Sequence, residues 1–521
     1  MNNSVKLANM KDDTNEDEMV SLGDYRSPNP PPENISLGRE ILFISWMCLS
    51  QMLTQAGIAV TINGGTATGK PFGIENNPGE LSWLTAGFSL TVGTLILISG
   101  RLGDMYGYKL LYGIGYAWFC VFSLACGFTG FGKSQIVLDV MRALQGIGPA
   151  IVFPNSMALI GHYYPLGFRR NLAFGLFGCT APSGFTVGAL FNLLFIVRVH
   201  LMAIDGVFLS YFIFAIVCFL VMLGGIFIIP SNIVNHNQRP KFDWIGGLIG
   251  MTGLILFNFS WNQGPNAGWT KVYVYVILIV GVLCCAVFYF VEKRVESPLL
   301  PSSAFSGDTG FVLTCIAAGW SSFGVWLYYT FLWAEHVEHK NPVIRAVEFV
   351  PASVMGVVAS LLTVYLLGKT YPSFTMLIAM LGFFIGLVIM GFRPVHQIYW
   401  AQKFVSILIT PFGMDMSFPA GAMILSNALP KSHQGLGASM VATFQNYAIS
   451  IGLGIAGTVE HYQTLNRPQN QDTVIHGYRS AFYMGMGLSG LGVAFSSIYL
   501  IIQLLVARRN QDKEKASEDE A

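Results

Sequence analysis

The sequence predicts an all-α membrane protein of two six-helix bundles with two further helices between them. Three observations predict it. Hydrophobic residues make up 53% of the 521 residues and charged ones only 11%, where soluble proteins carry about 25% charged residues. Apolar runs of about 20 residues, the length that crosses a bilayer core of roughly 30 Å, recur about fourteen times. The chain also resembles itself at one fixed offset.

The runs fall near 41–62, 81–100, 110–130, 136–160, 172–197, 207–229, 245–261, 272–291, 311–333, 347–367, 374–392, 398–425, 436–459 and 482–506. None alternates apolar and polar residues over about ten positions, which excludes barrel strands. The shortest, Ile245 to Trp261, is very apolar and is read as a span with the rest. An even number of spans puts both termini on one side. With the N-terminus inside, 18 of the 29 lysines and arginines lie on that side, and such a bias marks the cytoplasm.

A net charge of +1 gives no footing for nucleic acid or a polyanionic partner. All eight cysteines lie in apolar runs, without a C-x-x-C spacing, so they read as small apolar side chains rather than disulfides or metal ligands. Residues 1–38 are acidic and end in Pro28 to Pro32, a composition that cannot order itself by burying apolar surface. No cleaved signal precedes the first span, and the sequon Asn34-Ile35-Ser36 falls on the inner side.

Gly148, Phe153, Pro154 and Pro165 recur 265 residues later as Gly413, Phe418, Pro419 and Pro430. The same offset pairs Leu102, Gly103 and Tyr106 with Leu367, Gly368 and Tyr371. One offset shared by two regions indicates duplication. It divides the chain into a tail (1–38), an N-terminal bundle (39–230), two linker helices (231–300), a C-terminal bundle (301–507) and a tail (508–521). Parallel repeats of this kind are one plan for secondary transporters, with the substrate near the midplane between the halves.

Four motifs carry candidate chemistry. Gly100-Arg101-Leu102-Gly103-Asp104-Met105-Tyr106-Gly107-Tyr108-Lys109 reads as a tight interhelical turn with Asp104 near the start of the third helix, able to meet free N–H groups or basic residues across that face. The fourth span contains Asp139, Arg142, Gln145, Gly146 and Gly148. An arginine there costs about 2.5–3.5 kcal/mol on insertion scales and needs a polar cavity or partner. Asp139, three residues away on the same face, gives either a static pair or a carboxylate whose proton affinity Arg142 tunes. In the fifth span Ala181, Pro182, Gly184 and Gly188 combine a bend with a small-residue packing face. Asp415, deep in the twelfth span, is a functional candidate by position. Gln51, Gln55, Gln145, Gln445 and Asn446 are uncharged groups that could line a route or bond between helices.

Glu335-His336-Val337-Glu338-His339 is the densest cluster of ligand types. Its spacing matches no zinc pattern, and it reads as a solvated outer loop. With no nucleotide loop, H-E-x-x-H or soluble catalytic domain, enzymatic activity, cofactors and bound metals are not expected.

The first loop motif resembles the G-x-L-x-D-R-x-G-R-K signature of the major facilitator superfamily at Gly100, Leu102, Asp104, Gly107 and Lys109, with Met105 and Tyr108 replacing basic residues. Arg142 to Gly148 resembles its R-x-x-Q-G-x-G motif, whose arginine is linked to proton coupling. The fifth span is similar to a degenerate antiporter motif G-x-x-x-G-P-x-x-G-G. These motifs, the fourteen spans and the segments Asp243 to Gly246 and Leu256 to Pro265 resemble the fungal drug:proton antiporter-2 family. Val395 to Gln402 and Gly413 to Pro419 resemble its branch of the yeast low-affinity ammonium transporter and the aminotriazole-resistance and boron-efflux proteins. The loop from Arg198 to Asp205 departs from that branch, which tends to be tryptophan-rich there.

The resemblance implies a monomeric, multi-pass transporter with both termini cytoplasmic, in the plasma membrane. It would exchange a small solute for protons by alternating access, or pass ammonium at low affinity. Asp139, Arg142 and Asp415 are the expected proton-coupling groups.

Overall fold

The computed structural model describes residues 36–519 except 76, 133, 165–167, 199–205, 231–242, 296–298, 300–306, 429–433 and 469. The N-terminal arm, the tryptophan-poor loop after Arg198 and the Pro165/Pro430 pair therefore lie outside the described residues. Fourteen long helices form: α1 Leu37–Asn63, α2 Pro78–Tyr106, α3 Tyr108–Gly132, α4 Gln135–Tyr163, α5 Phe168–Arg198, α6 Gly206–Ile228, α7 Trp244–Ala267, α8 Val272–Glu292, α9 Gly307–Leu332, α10 Val350–Leu367, α11 Pro372–Gly391, α12 Gln402–Ala428, α13 Gln434–Thr464 and α14 Gln471–Asp519. No strand occurs among the described residues.

Thirteen helices are long and apolar enough to cross a membrane. The exception, α13, is 31 residues long but carries Gln445, Asn446 and many glycines and serines. Three elements differ from expectation. The short span runs six residues further, to Ala267 and through Pro265. The last helix continues past Arg508 to Asp519. Residues 333–348 are structured, with a π-helical turn Trp333–Val337 and a short helix Pro342–Glu348, because their charged groups pair with one another and with Arg393 and Lys403.

The duplication is visible in the packing. In the first half α1 packs on α5, α2 on α4, and α3 on both α4 and α6; in the second, α9 packs on α13, α10 on α12, and α11 on both α12 and α14. Each contact recurs eight helices later. The halves meet through α2 against α13 and α5 against α10, pairs that exchange under the same relation. Gly148 abuts Phe119 of α3, and its counterpart Gly413 abuts Phe383 of α11. Phe153 and Phe418 meet edge-on across the halves at 6.1 Å.

Between the halves, α7 packs on α2 and α13, and α8 packs on α7. Polar residues fix α7. Asn262 donates to Ser450 Oγ at 3.1 Å, and Ser450 donates to Asn258 Oδ1 at 2.7 Å and to the Ala86 carbonyl at 3.1 Å. Asn266 donates to the Gly79 carbonyl and Tyr447 to that of Leu254.

Candidate functional site

A cavity lies between the halves, with about 830 Å³ of empty space including its open mouth. Gln55, Ile58 and Ile62 of α1, Thr85 of α2, and Ala181, Pro182, Phe185 and Thr186 of α5 form one wall. The other comes from α9 (Trp320, Phe323, Trp326, Tyr328), α12 (Thr410, Pro411, Met414) and α13 (Gln445, Asn446, Ile449), with Phe349 above α10. Among the described residues the lining carries no charged side chain. The indoles are fixed by their edges: Trp320 Nε1 donates to Ser417 Oγ at 3.0 Å and Trp326 Nε1 to Ser406 Oγ at 2.8 Å. Their faces thus stay toward the cavity.

Of the expected route residues, Gln55, Gln445 and Asn446 line this cavity; Gln51 and Gln145 do not. Gln51 is buried beneath its own helix face. Gln145 donates to Ser123 Oγ at 2.7 Å and accepts from Arg142, inside the N-terminal half.

Arg142 is fully buried. Its Nε donates to the Leu84 carbonyl at 3.0 Å, Nη2 to the Gly57 carbonyl at 3.1 Å and Nη1 to Gln145 Oε1, and its guanidinium lies 4.7 Å from the Phe88 ring centre. The expected Asp139–Arg142 pair does not form. Sequence spacing placed them on one face, but the carbonyls of α1 and α2 draw the guanidinium into the bundle. Among the described residues no carboxylate pairs with Arg142, and Asp139 Oδ1 has no hydrogen-bond partner.

Asp415 adjoins the cavity residue Met414. It is 7% exposed, and its Oδ2 accepts no hydrogen bond. The carboxylate faces Gly356 of α10 beside Pro182 of α5, where a Cβ on Gly356 would lie 2.8 Å from it. It therefore sits at the seam between the halves. Beside it Ser353 Oγ lies 3.1 Å from the Pro182 carbonyl and 2.5 Å from Thr186 Oγ1, which ties α5 to α10. Gly184 and Gly188 pack against the backbone of Met52 and Ala56 of α1, where added Cβ atoms would come within 2.5 Å.

In the loop motif α2 runs on to Tyr106, so Asp104 lies in its last turn rather than at the start of α3. Gly107, at φ 99°, makes the turn. Asp104 accepts from Tyr108 at 2.7 Å and pairs with Arg101 at 3.8 Å; Tyr108 shares a 2.9 Å contact with His162 of α4. Lys109 donates to the Ile229 carbonyl at 2.6 Å. These described contacts stay within the N-terminal half. Gly100 is the motif residue nearest the other half, 3.5 Å from Ser439 through an added Cβ.

At the opposite end of the bundle, the stretch read as a solvated loop is a buried charge network. Glu338 binds Arg393, Lys340 (2.7 Å) and Lys403 (3.1 Å). Glu348 binds Lys340 and Lys403 (2.6 Å). Burial alone would raise the Glu338 carboxyl, but Lys403, Lys340 and Arg393 hold it down at about 2. Arg345, paired with Glu335, donates to the Asn63 carbonyl of α1 at 3.2 Å, closing this end across the halves. No group of three or more potential metal-ligating side chains occurs among the described residues, and all eight cysteines are free thiols.

Two repeated six-helix halves around a shared, largely apolar cavity define a secondary transporter that moves small solutes through a membrane. The chain belongs to the Major Facilitator Superfamily, whose profile matches residues 36–453, and is a multi-pass membrane protein. It is 46% identical to an uncharacterized MFS-type transporter of Schizosaccharomyces pombe over 91% of this chain and 89% of that one. It is 43% identical to the low affinity ammonium transporter of Saccharomyces cerevisiae (93% and 92% covered) and 39% identical to the efflux pump terJ of Aspergillus terreus (89% of each). A crystal structure of a POT family transporter in complex with a thioalcohol-conjugated peptide shares the fold at a TM-score of 0.64, with 12% identity over 89% of this chain and 96% of that one.

Proposed function

We propose that this transporter exports a small solute in exchange for protons, by rocking its two halves about the cavity, with both termini in the cytoplasm and the protein acting as a monomer in the plasma membrane. The observation that supports this reading is Asp415. It is a buried carboxylate with no cationic partner among the described residues, at the seam where α5, α10 and α12 meet beside the cavity. A carboxylate in such a place is costly while charged, so binding and losing a proton as the seam opens would link protonation to the movement. Arg142 serves differently. Its three bonds to α1, α2 and Gln145 make it a brace of the N-terminal half, and Asp139 stands as the weaker proton candidate.

A second reading, low-affinity passage of ammonium, is favoured by the 43% identity to the yeast ammonium transporter. Proteoliposomes holding a pH-sensitive dye separate the two. Addition of 3-aminotriazole, borate or ammonium chloride to one side should drive protons the opposite way for at least one of them, and Asp415→Asn should remove that counterflow while leaving solute exchange. Solute flux with no proton movement in the unaltered protein would overturn proton exchange.

A further inference from the structure

The far end of the C-terminal half holds four acidic side chains from three elements. Three are neutralised by cations: Glu335 by Arg345, and Glu338 and Glu348 by Lys340, Lys403 and Arg393. The fourth, Glu460 of α13, has no lysine, arginine or histidine partner among the described residues. Its hydrogen bond comes from a phenol, with Tyr329 donating to Oε2 at 2.7 Å. Tyr329 is fully enclosed, whereas Glu460 is half-buried. Tyr328, next in the chain to Tyr329 and packed edge-on against it at 5.5 Å, lines the transport cavity. A single wall of α9 thus has the cavity on one face and Glu460 on the other.

We propose that Glu460 is a second proton-binding site, on the far side of the cavity wall, exchanging protons with the solution at that end. Its neutral and charged forms change the hydrogen bond that fixes Tyr329, and hence the packing of Tyr328 at the cavity. The groups facing the site are Tyr328 and Tyr329 from α9, Glu335 and His336 from the π-helical turn, and Tyr478 from α14, whose hydroxyl meets His336 Nδ1 at 2.6 Å. Arg345, the one cation reaching this group from the short helix, is taken up by Glu335 and the Asn63 carbonyl. Arg479, beside Tyr478, is directed to the Arg393 carbonyl and the Trp333 ring. The remaining acid is the one left free to exchange a proton. A π-helical turn carries Glu335 and His336 into this group.

The use of this site in transport rests on the proton-exchange reading, but proton binding itself is tested without a substrate. Infrared pH titration of the purified full-length protein should show a protonated-carboxyl C=O band that is lost as pH rises. That band should be absent in Glu460→Gln, present in Asp415→Asn, and displaced in pH midpoint in Tyr329→Phe, which keeps the ring and removes the donor. Size-exclusion profiles and thermal unfolding of each variant report folding, and Glu460→Asp should restore a titrating band. An unchanged band in Glu460→Gln overturns the proposal even if proton counterflow in proteoliposomes is intact. Loss of the band in a protein that shows no counterflow would instead leave the site standing and remove the proton-exchange reading.

Discussion

The two halves share their helix packing but not their charges. At the 265-residue offset Arg142 corresponds to Ile407 and Asp415 to Ala150. The N-terminal half encloses a guanidinium with no carboxylate partner among the described residues, solvated by two carbonyls and a glutamine. The C-terminal half encloses a carboxylate near the seam with no cation, and gathers its paired charges at one end instead. Duplication preserved the small residues that let helices approach, as at Gly148 and Gly413, because those positions are set by backbone distance. Charged positions were free to diverge, and they did so in opposite senses. One half is braced, and the other holds the carboxylates proposed above to bind protons.

Replacing the brace is expected to have the largest effect. Arg142→Leu removes three donated hydrogen bonds, to the Leu84 and Gly57 carbonyls and to Gln145, each from a charged group and worth about 1.5–3 kcal/mol. Thermal unfolding in detergent should show a loss of about 3 kcal/mol or more, together with loss of transport. A stable, active variant would break the contrast. Next comes Lys403→Met, which leaves Glu338 and Glu348 sharing fewer cations; opening such a buried network costs about 3 kcal/mol, read by the same unfolding assay with transport only weakened.

The charge network also sets an acid limit. Because the Glu338 carboxyl is held near 2 in the folded protein, its contribution is fully present above the ordinary glutamate value of about 4.3 and is lost as pH falls toward 2. Unfolding temperature should therefore be flat in this respect from neutral pH to about 5 and drop below that. In Lys403→Met the folded value moves up toward the ordinary one, so the acid drop should be shallower. The smallest effect is expected for Ser450→Ala, which removes the hydroxyl that accepts from Asn262 and donates toward Asn258 or the Ala86 carbonyl, at about 1 kcal/mol in chemical denaturation. A cost near zero would mean that Asn262 and Asn258 satisfy the seam unaided.

The helices and the duplication were legible in the sequence because both are written in apolar run length and in glycine and proline positions. The burial of Arg142 was legible too, but its partner was not. Asp139 at three residues' spacing is an equally good neighbour on paper, and only the approach of α1 and α2 decides which way the guanidinium turns. The cavity wall was hidden for a different reason. Trp320, Phe323, Trp326 and Tyr328 look like any apolar stretch of a span until Ser406 and Ser417 are seen to hold the indole edges. Glu335 to Glu348 looked like loop because their partners, Arg393 and Lys403, lie about fifty residues or more away.

The inserted pair α7 and α8 is not a spacer. Ser450 bonds at once to Asn258 of α7 and to the Ala86 carbonyl of α2, so the insert shares one polar knot with both repeats, while α8 buries little beyond Val274, Gly281 and Glu292. Trimming the chain to its twelve repeated helices would unpick that knot and strip amide partners from a surface that has evolved to be dry. A version cut to the twelve repeated helices would need new partners for Ser450.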